Sequence, residues 1–464
     1  MKSNYILKII LVFVILLHSS CSSSDSPIAD PVNPDPPKPV EYTDDQIIEM
    51  VQKDALKYFW DFAESNSKLA RERYHTDNPG QDASVVTTGG SGFGLMTILV
   101  GINKGYVTRA EGVSRLSTAL NFLGNASRFH GAWPHWMDGN SGGVIPFGTK
   151  DNGGDLVETS FLAQSLICIR EYFKDGSADE KTLAAKADEL WKGIDYSWYT
   201  KGGENTLYWH WSPNYNWDMN FKLEGYNECL VTYVLAAASP NYSPSNIVAA
   251  YQNSWARNGG IKSSATQFGM PVIFNYNGAT GNVGPMFWSH YSYLGLDPRG
   301  LSDQYANYGD LVTNHAKIMY EYCKANPRSW SGYSAKNWGL TASYSRNSDG
   351  STGYSAHQPN NDLGVISPTA AISSIPYTPT ESMAYLRYVY NEKKSSYVGV
   401  CGPYDAYSEQ YNWVTPRYLA IDQGTIAPMI ENYRTGFLWK LFMNAPEIRR
   451  GLKKLDFHST EYNF

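Results

Sequence analysis

Carboxylates gather at three places in this chain, each beside glycine, asparagine or large aromatic side chains. The first is Asp151-Asn152-Gly153-Gly154-Asp155-Leu156-Val157-Glu158-Thr159. Asp155 and Glu158 stand three apart at the start of a helical pattern, so they share a face about 5–6 Å apart. Asp151 lies on the loop before them. Carboxyls this close repel one another, which raises a pKa toward neutral pH. The second is Glu224-Gly225-Tyr226-Asn227-Glu228, opening an apolar helix. The third is Ile421-Asp422-Gln423-Gly424 with Ile430-Glu431-Asn432-Tyr433-Arg434. Each also has a purely structural reading. Asp155 with Glu158 makes a capping box, and Asn227 and Asp422 suit an N-cap. Glu228 complements a helix dipole, and Glu431 with Arg434 is an ordinary i, i+3 pair.

One positioned acid that protonates a leaving oxygen, and one carboxylate that activates water or attacks, are what breaking a glycosidic bond requires. The surroundings suit a sugar. Aromatic residues make up 14% of the chain, with 35 Tyr and 14 Trp, while only 18% is charged. Flat rings receive the apolar faces of sugars, and Tyr, Trp and Asn bond their hydroxyls. The rings sit in loops near the acids. Trp133-Pro134-His135-Trp136 precedes the first cluster, and Trp209-His210-Trp211 with Trp217 precedes the second. Phe287-Trp288-Ser289-His290-Tyr291, Tyr404, Tyr407 and Trp413 occupy other loops. Filling a large core is the competing use for so many rings. Trp133, Trp136, Trp288, His290, Tyr291, Tyr407, Trp413, Asp422 and Glu431 are therefore candidate substrate contacts.

Other chemistries are disfavoured. A net charge of -6 is the wrong sign for nucleic acid. The His residues never form His-x-x-x-His or His-Glu-x-x-His, and no Cys-x-x-Cys occurs, so neither a metal nor another cofactor is expected. Gly-x-Ser-x-Gly and phosphate-loop motifs are absent. A lyase acting on uronates would want a basic cleft, against this charge balance. A surface lipoprotein that binds glycans without cleaving them is the other reading, but it has no use for convergent acids.

Positioning such groups falls to helices. Thr43-Asp44-Asp45-Gln46 reads as a capping box. It is followed by Ile47, Ile48, Val51, Ala55, Tyr58, Phe59 and Phe62 at helical spacing. Further helices are expected at about 92–104, 108–126, 155–174, 178–200, 225–238, 244–257, 303–325, 379–391 and 422–444, with short turns near 285–293 and 368–375. Gly90 to Gly94 reads as a tight helix start. Leu156 to Phe173 and Cys229 to Ala238 are apolar nearly all round, as inner helices are. The expectation is an all-α ring of helical hairpins, an α/α toroid, whose long loops form the cleft at one end.

Ahead of this lies an export signal. Lys2 and Lys8 flank the start of a short apolar run, Ile9 to Leu17, too short to span a bilayer. Leu17-His18-Ser19-Ser20-Cys21 resembles a bacterial lipobox. Residues 1–20 are thus expected to be a lipoprotein signal peptide, with Cys21 carrying lipid. Residues 21–42 are rich in proline and read as a tether. Residues 43–464 form one catalytic domain on this reading. The protein is expected to be exported, to touch the membrane only through its anchor, and to act as a monomer.

Several phrases then occur together. They are Thr88 to Leu95 (TGGSGFGL), Asp155-Leu-Val-Glu158-Thr, Gly225-Tyr-Asn-Glu228, Phe287-Trp-Ser-His290-Tyr-Ser, Trp338-Gly-Leu-Thr-Ala342, Ser367-Pro-Thr-Ala-Ala371, Ile421-Asp-Gln-Gly424 and Met429-Ile-Glu-Asn-Tyr433. Their order, from about residue 44 to 455, resembles the glycoamylase-like family, which includes β-1,2-glucanases. The resemblance implies an (α/α)6 toroid, a β-1,2-glucan substrate (with a glucoamylase-type hydrolase of another glucan linkage as the alternative), no metal and an inverting mechanism. It places Glu228 on a glutamate important for activity, and Asp151, Asp155 and Glu158 on acids that line the cleft. Glu228 is then expected to be the general acid and one of the other three the base. Inversion would hold the two about 6.5–9.5 Å apart.

Overall fold

The computed structural model describes residues 41–464. The apolar leader, Cys21 and the tether up to residue 40 lie outside the described residues. In chain order the helices are α1 (Asp44–Trp60), α2 (Thr88–Asn103), α3 (Arg109–Asn125), α4 (Leu156–Phe173), α5 (Ala178–Lys192), α6 (Leu230–Ala238) and α7 (Ile247–Ala250). They continue with α8 (Tyr308–Ala325), α9 (Pro368–Ile372), α10 (Pro379–Arg387), α11 (Lys394–Tyr397), α12 (Ala420–Thr435), α13 (Phe437–Met443) and α14 (Pro446–Lys454).

The helices are of two kinds, and their sequences say why. α1 is amphipathic. Ile47, Ile48, Val51, Ala55, Leu56, Tyr58 and Phe59 are buried, and the other face is solvated. Its start is the expected capping box: the Thr43 hydroxyl accepts from the Gln46 N–H, and the Gln46 side chain accepts from the Thr43 N–H. α3 and α5 begin the same way, on Thr108 with Glu111 and on Ser177 with Glu180. In contrast, α2 is buried from Thr88 to Ile102, α4 from Leu156 to Ile169, and α6 along its whole length. These buried helices pack side by side in the order α12, α2, α4, α6. α1 lies against α2 and α12, α5 against α4 and α3, and α14 against α6. Glycine permits the tightest contact. A Cβ at Gly92 would stand 2.5 Å from the Leu162 Cα, so any larger residue would push α2 off α4.

Strands are short and antiparallel, and several run straight into buried helices. Val85–Thr87 pairs with Trp136–Asp138 and leads into α2. Gly154–Asp155 pairs with His210–Trp211 and leads into α4. Arg417–Leu419 pairs with Arg73–His75 and leads into α12. The N-terminal ends of the inner helices are thereby tied together at one end of the molecule. A hairpin, Ala342–Arg346 with Thr352–Ala356, reaches the same end.

Several boundaries differ from the periodic reading. The segment 225–238 is helical only from Leu230, because the Asn227 side chain accepts the Cys229 N–H and holds Glu228 in a turn. Gly90 to Gly94 lie inside α2. The stretch 178–200 ends as an α-helix at Lys192 and resumes as a 3-10 turn, Trp198–Thr200. The stretch 422–444 breaks at Gly436, whose φ of +67° caps α12. α7 and α10 widen into π turns at Tyr251–Trp255 and Tyr388–Glu392. α14 lacks any counterpart among the expected helices. Asp422 is not an N-cap; it lies within the first turn of α12, and Leu419 holds the cap position.

Candidate active site

A cavity of about 420 Å³ opens at the N-terminal ends of α2, α4 and α12 and beside the turn before α6. Three carboxyls line it: Glu72, Glu158 and Glu228. Its rings are Trp136, Phe147, Trp209, Phe287, Tyr291, Tyr344 and Tyr354, and its basic groups are Arg73 and His135. The Trp209 indole N–H is buried without an acceptor among the described residues.

Asp155 and Glu158 do not form the reciprocal box that their spacing allows. Asp155 caps α4, its Oδ1 accepting from the N–H groups of Val157 and Glu158 at 3.0 and 2.9 Å. Its Oδ2 faces His135 Nδ1 at 3.0 Å and His210 Nε2 at 3.5 Å. His210 Nε2 also stands 3.3 Å from Asp151. Burial raises the Asp155 carboxyl, but the two imidazoles overcome it and hold the group well below the usual carboxylate range. The histidines respond in kind. Burial opposes their charge, yet the surrounding carboxylates raise both to about 9. His135, Asp151 and Asp155 bring ligand-type atoms within 4.8 Å of one another. The imidazole–carboxylate contacts already balance their charge.

Glu158 turns the other way. Its Oε2 accepts the backbone N–H of Gly89, at the start of α2, at 2.8 Å. Burial raises its pKa to about 7, helped by Asp155 and Asp151 and opposed by His135 and by the Gly89 N–H. Glu228 is half-buried, and its carbonyl accepts from Ser292. Burial also raises its carboxyl to about 7, with Glu158 and Asp155 adding repulsion. Its own backbone N–H is the group that lowers it. Glu72 is raised by burial and tempered by its ion pair with Arg73.

The remaining sequence candidates divide sharply. Trp136 and Tyr291 line the cavity. Tyr291 also reaches toward Asp422, with its hydroxyl 3.5 Å from Oδ1. Asp422 is buried behind that wall, where burial and Asp405 push its carboxyl well above the usual range. Trp133 is fully buried, its indole donating to the Leu123 carbonyl at 3.0 Å, and it faces the core. Trp288 stacks on Tyr276 at 5.9 Å, outside the cavity lining. His290 is buried against Ser374, and burial lowers it to about 3. Tyr407 is buried and donates to Asn337 at 2.6 Å. Trp413 packs on a small cluster of Tyr344, Val365, Ala406 and Leu419. Glu431 lies farther along α12, held by Gln52 and Thr435. Sequence reasoning passed over Glu72, Gly89, His210 and Trp209 as site residues. Glu72 and Gly89 have no neighbouring acid cluster to flag them. His210 and Trp209 stand in a noted aromatic run, but only strand pairing brings them to Asp155.

Comparison with known proteins gives the family. A family model described as a putative glucoamylase matches residues 220–446. An endo-β-1,2-glucanase structure from Chitinophaga pinensis, in complex with sophorotriose and glucose, is 53% identical with a TM-score of 0.87. The match covers 91% of this chain and all of that one. A putative glucoamylase structure from Bacteroides fragilis is 51% identical, also with a TM-score of 0.87, over 92% of this chain and all of that one. An exo β-1,2-glucooligosaccharide sophorohydrolase of Parabacteroides distasonis is 41% identical over 430 residues, 89% of this chain. The chain spans only 58% of that relative's length. Identity at this level over about nine-tenths of this chain leaves one conclusion: the chain belongs to the glycoamylase-like family in which these bacterial proteins fall.

Proposed function

We propose that the protein hydrolyses β-1,2-glucan with inversion, Glu228 acting as general acid and Glu158 as general base. The observation that carries this is one sugar-sized cavity holding two carboxyls that both titrate near pH 7 but are unequally supported. The Gly89 N–H and His135 favour ionised Glu158, whereas Glu228 has only its own N–H. Glu158 therefore loses its proton first and Glu228 keeps the shared one. Asp155 is poorly suited to be the base, since both its oxygens are engaged. Asp151 is turned to His210 and does not line the cavity.

The step balances simply. Glu228 gives its proton to the glycosidic oxygen as the C1–O bond breaks. Glu158 takes a proton from a water whose oxygen bonds to C1 on the opposite face. The names of the Chitinophaga and Parabacteroides relatives support the β-1,2 linkage. The packing order supports an (α/α)6 toroid, in which α2, α4, α6, the turns Met286–Ser289 and Ser292–Leu294, α9 and α12 make the inner ring. Export, lipid anchoring at Cys21 and action as a monomer complete the proposal.

The test is to incubate the enzyme with β-1,2-, β-1,3-, β-1,4- and α-1,4-glucans and follow products and their anomers by NMR. Cleavage of the β-1,2 chain alone, with α-anomers appearing first, is expected. No cleavage, or cleavage only of an α-1,4 chain, overturns the assignment.

A further inference from the structure

A second concavity, about 820 Å³, lies beside the cavity and takes no part in the chemistry above. Its size falls among pockets that hold ligands, about 300–1,000 Å³. Two junctions join it to the cavity. Phe221 lines the groove and packs against Trp209 of the cavity wall, ring centres 5.2 Å apart. Asn227 lines the groove, and the next residue, Glu228, lines the cavity. We infer that this groove binds glucosyl units remote from the bond being cut, so that the enzyme selects for chain length; the inference rests on the hydrolase reading.

The groove's polar groups fit a neutral polyol. Asn227 is buried, and its Oδ1 accepts the Cys229 N–H at 2.9 Å, while its NH2 has no partner among the described residues. Asn275 spends its NH2 on the carbonyls of Gly260 and Lys262, and Asn277 spends its own on Glu224. The amide oxygens of both are left as acceptors. The Arg257 guanidinium makes no ion pair or hydrogen bond among the described residues. The wall thus carries both donors and acceptors, and each sugar hydroxyl both donates and accepts. Phe221 is half exposed, at 50%, and offers a face for a ring to lie on. Arg257 and Glu224 balance in charge, while Lys222 turns toward Glu204 at 3.7 Å.

The backbone is bent to present these groups. Arg257 and Asn258 have φ of +48° and +52°, conformations that L residues rarely hold. Such strain persists where the surroundings enforce it, and it collects at ligand sites. Gly225, at φ +68°, completes the arrangement. A Cβ there would stand 2.6 Å from both the Arg257 Cζ and the Asn277 Oδ1.

The test compares long β-1,2-glucan with the shortest β-1,2-oligosaccharide the wild-type enzyme cleaves. Arg257→Ala combined with Asn275→Ala should raise KM for the long chain about tenfold, as for one or two lost hydrogen bonds. The kcat on both substrates, and KM for the short one, should stay within about twofold. Arg257→Ala alone, which removes a side chain without a partner among the described residues, should act in the same direction and stands in if the double variant melts early. Equal effects on both lengths, or none on either, overturn the inference. If the linkage panel shows another glucan to be the substrate, the hydrolase reading is corrected and the same comparison is made on long and short chains of that glucan. If no glucan is cleaved, calorimetry with long β-1,2-glucan decides: affinity unchanged by the double variant overturns the groove.

Discussion

The backbone N–H of Gly89 donates to Oε2 of Glu158 at 2.8 Å, from the first turn of α2 to the first turn of α4. A Cβ at residue 89 would lie 2.4 Å from that oxygen and 3.1 Å from the Phe161 ring. Gly89→Ala is therefore expected to displace the carboxylate. Because Ala suits a helix better than Gly by about 1 kcal/mol, the melting temperature should change little. Turnover should fall about 10²-fold, at the low end of general-base losses. A kcat within threefold of wild type would show that the hydrogen bond does not position the base.

Acid and base can be told apart by leaving group. Glu228→Gln and Glu158→Gln should each lower kcat on β-1,2-glucan by about 10²–10⁴-fold. An aryl glycoside with a phenolate of low pKa needs no proton to depart. Glu228→Gln should recover most of its activity on that substrate, and Glu158→Gln should not. The reverse pattern would exchange the two roles. In the wild type, activity should fall as pH rises through about 7, where Glu228 loses its proton.

Stability should follow the histidines. The folded state raises His135 and His210 from 6.5 to about 9, so it favours their charged forms. Their contribution is complete below about 6.5 and fades as pH rises through about 9. The melting temperature should therefore drop between pH 7 and pH 9. In His210→Gln this slope should flatten, with a lower melting temperature at pH 6. An unchanged slope would mean that the ion pairs with Asp151 and Asp155 contribute nothing to folding.

Two neighbouring tryptophans should part company. Trp133 is wholly buried, so Trp133→Ala should cost about 3–5 kcal/mol in chemical unfolding. Trp136 lines the cavity, so Trp136→Ala should chiefly raise KM. A raised KM with full stability in Trp133→Ala would contradict its place in the core.

At the N-terminus, Cys21→Ala should move the protein from the membrane fraction to the soluble one. A variant that still sediments with membranes would remove the lipid anchor from the proposal.

The sequence by itself determined most of the longer helices and which of them are inner. Capping boxes at Thr43, Thr108 and Ser177 are local, because a side chain three residues away completes each one. The apolar runs of α4 and α6 likewise declare inner helices, since a helix with no polar face has to be covered all round. Asp155 and Glu158 were also legible as a pair, being one turn apart. What only the tertiary structure decided is which way each carboxyl faces. Glu158 leaves its own helix cap for Gly89 on α2, a partner 69 residues away. Asp155 is held ionised by His135 and by His210, the latter delivered by a two-residue strand. Trp133 and Trp136 look alike in the chain, yet one faces the core and the other the cavity. Burial and charge act through space, so the carboxyls of Glu158 and Glu228 are raised to about 7 only once separate helices bring their N-terminal ends together.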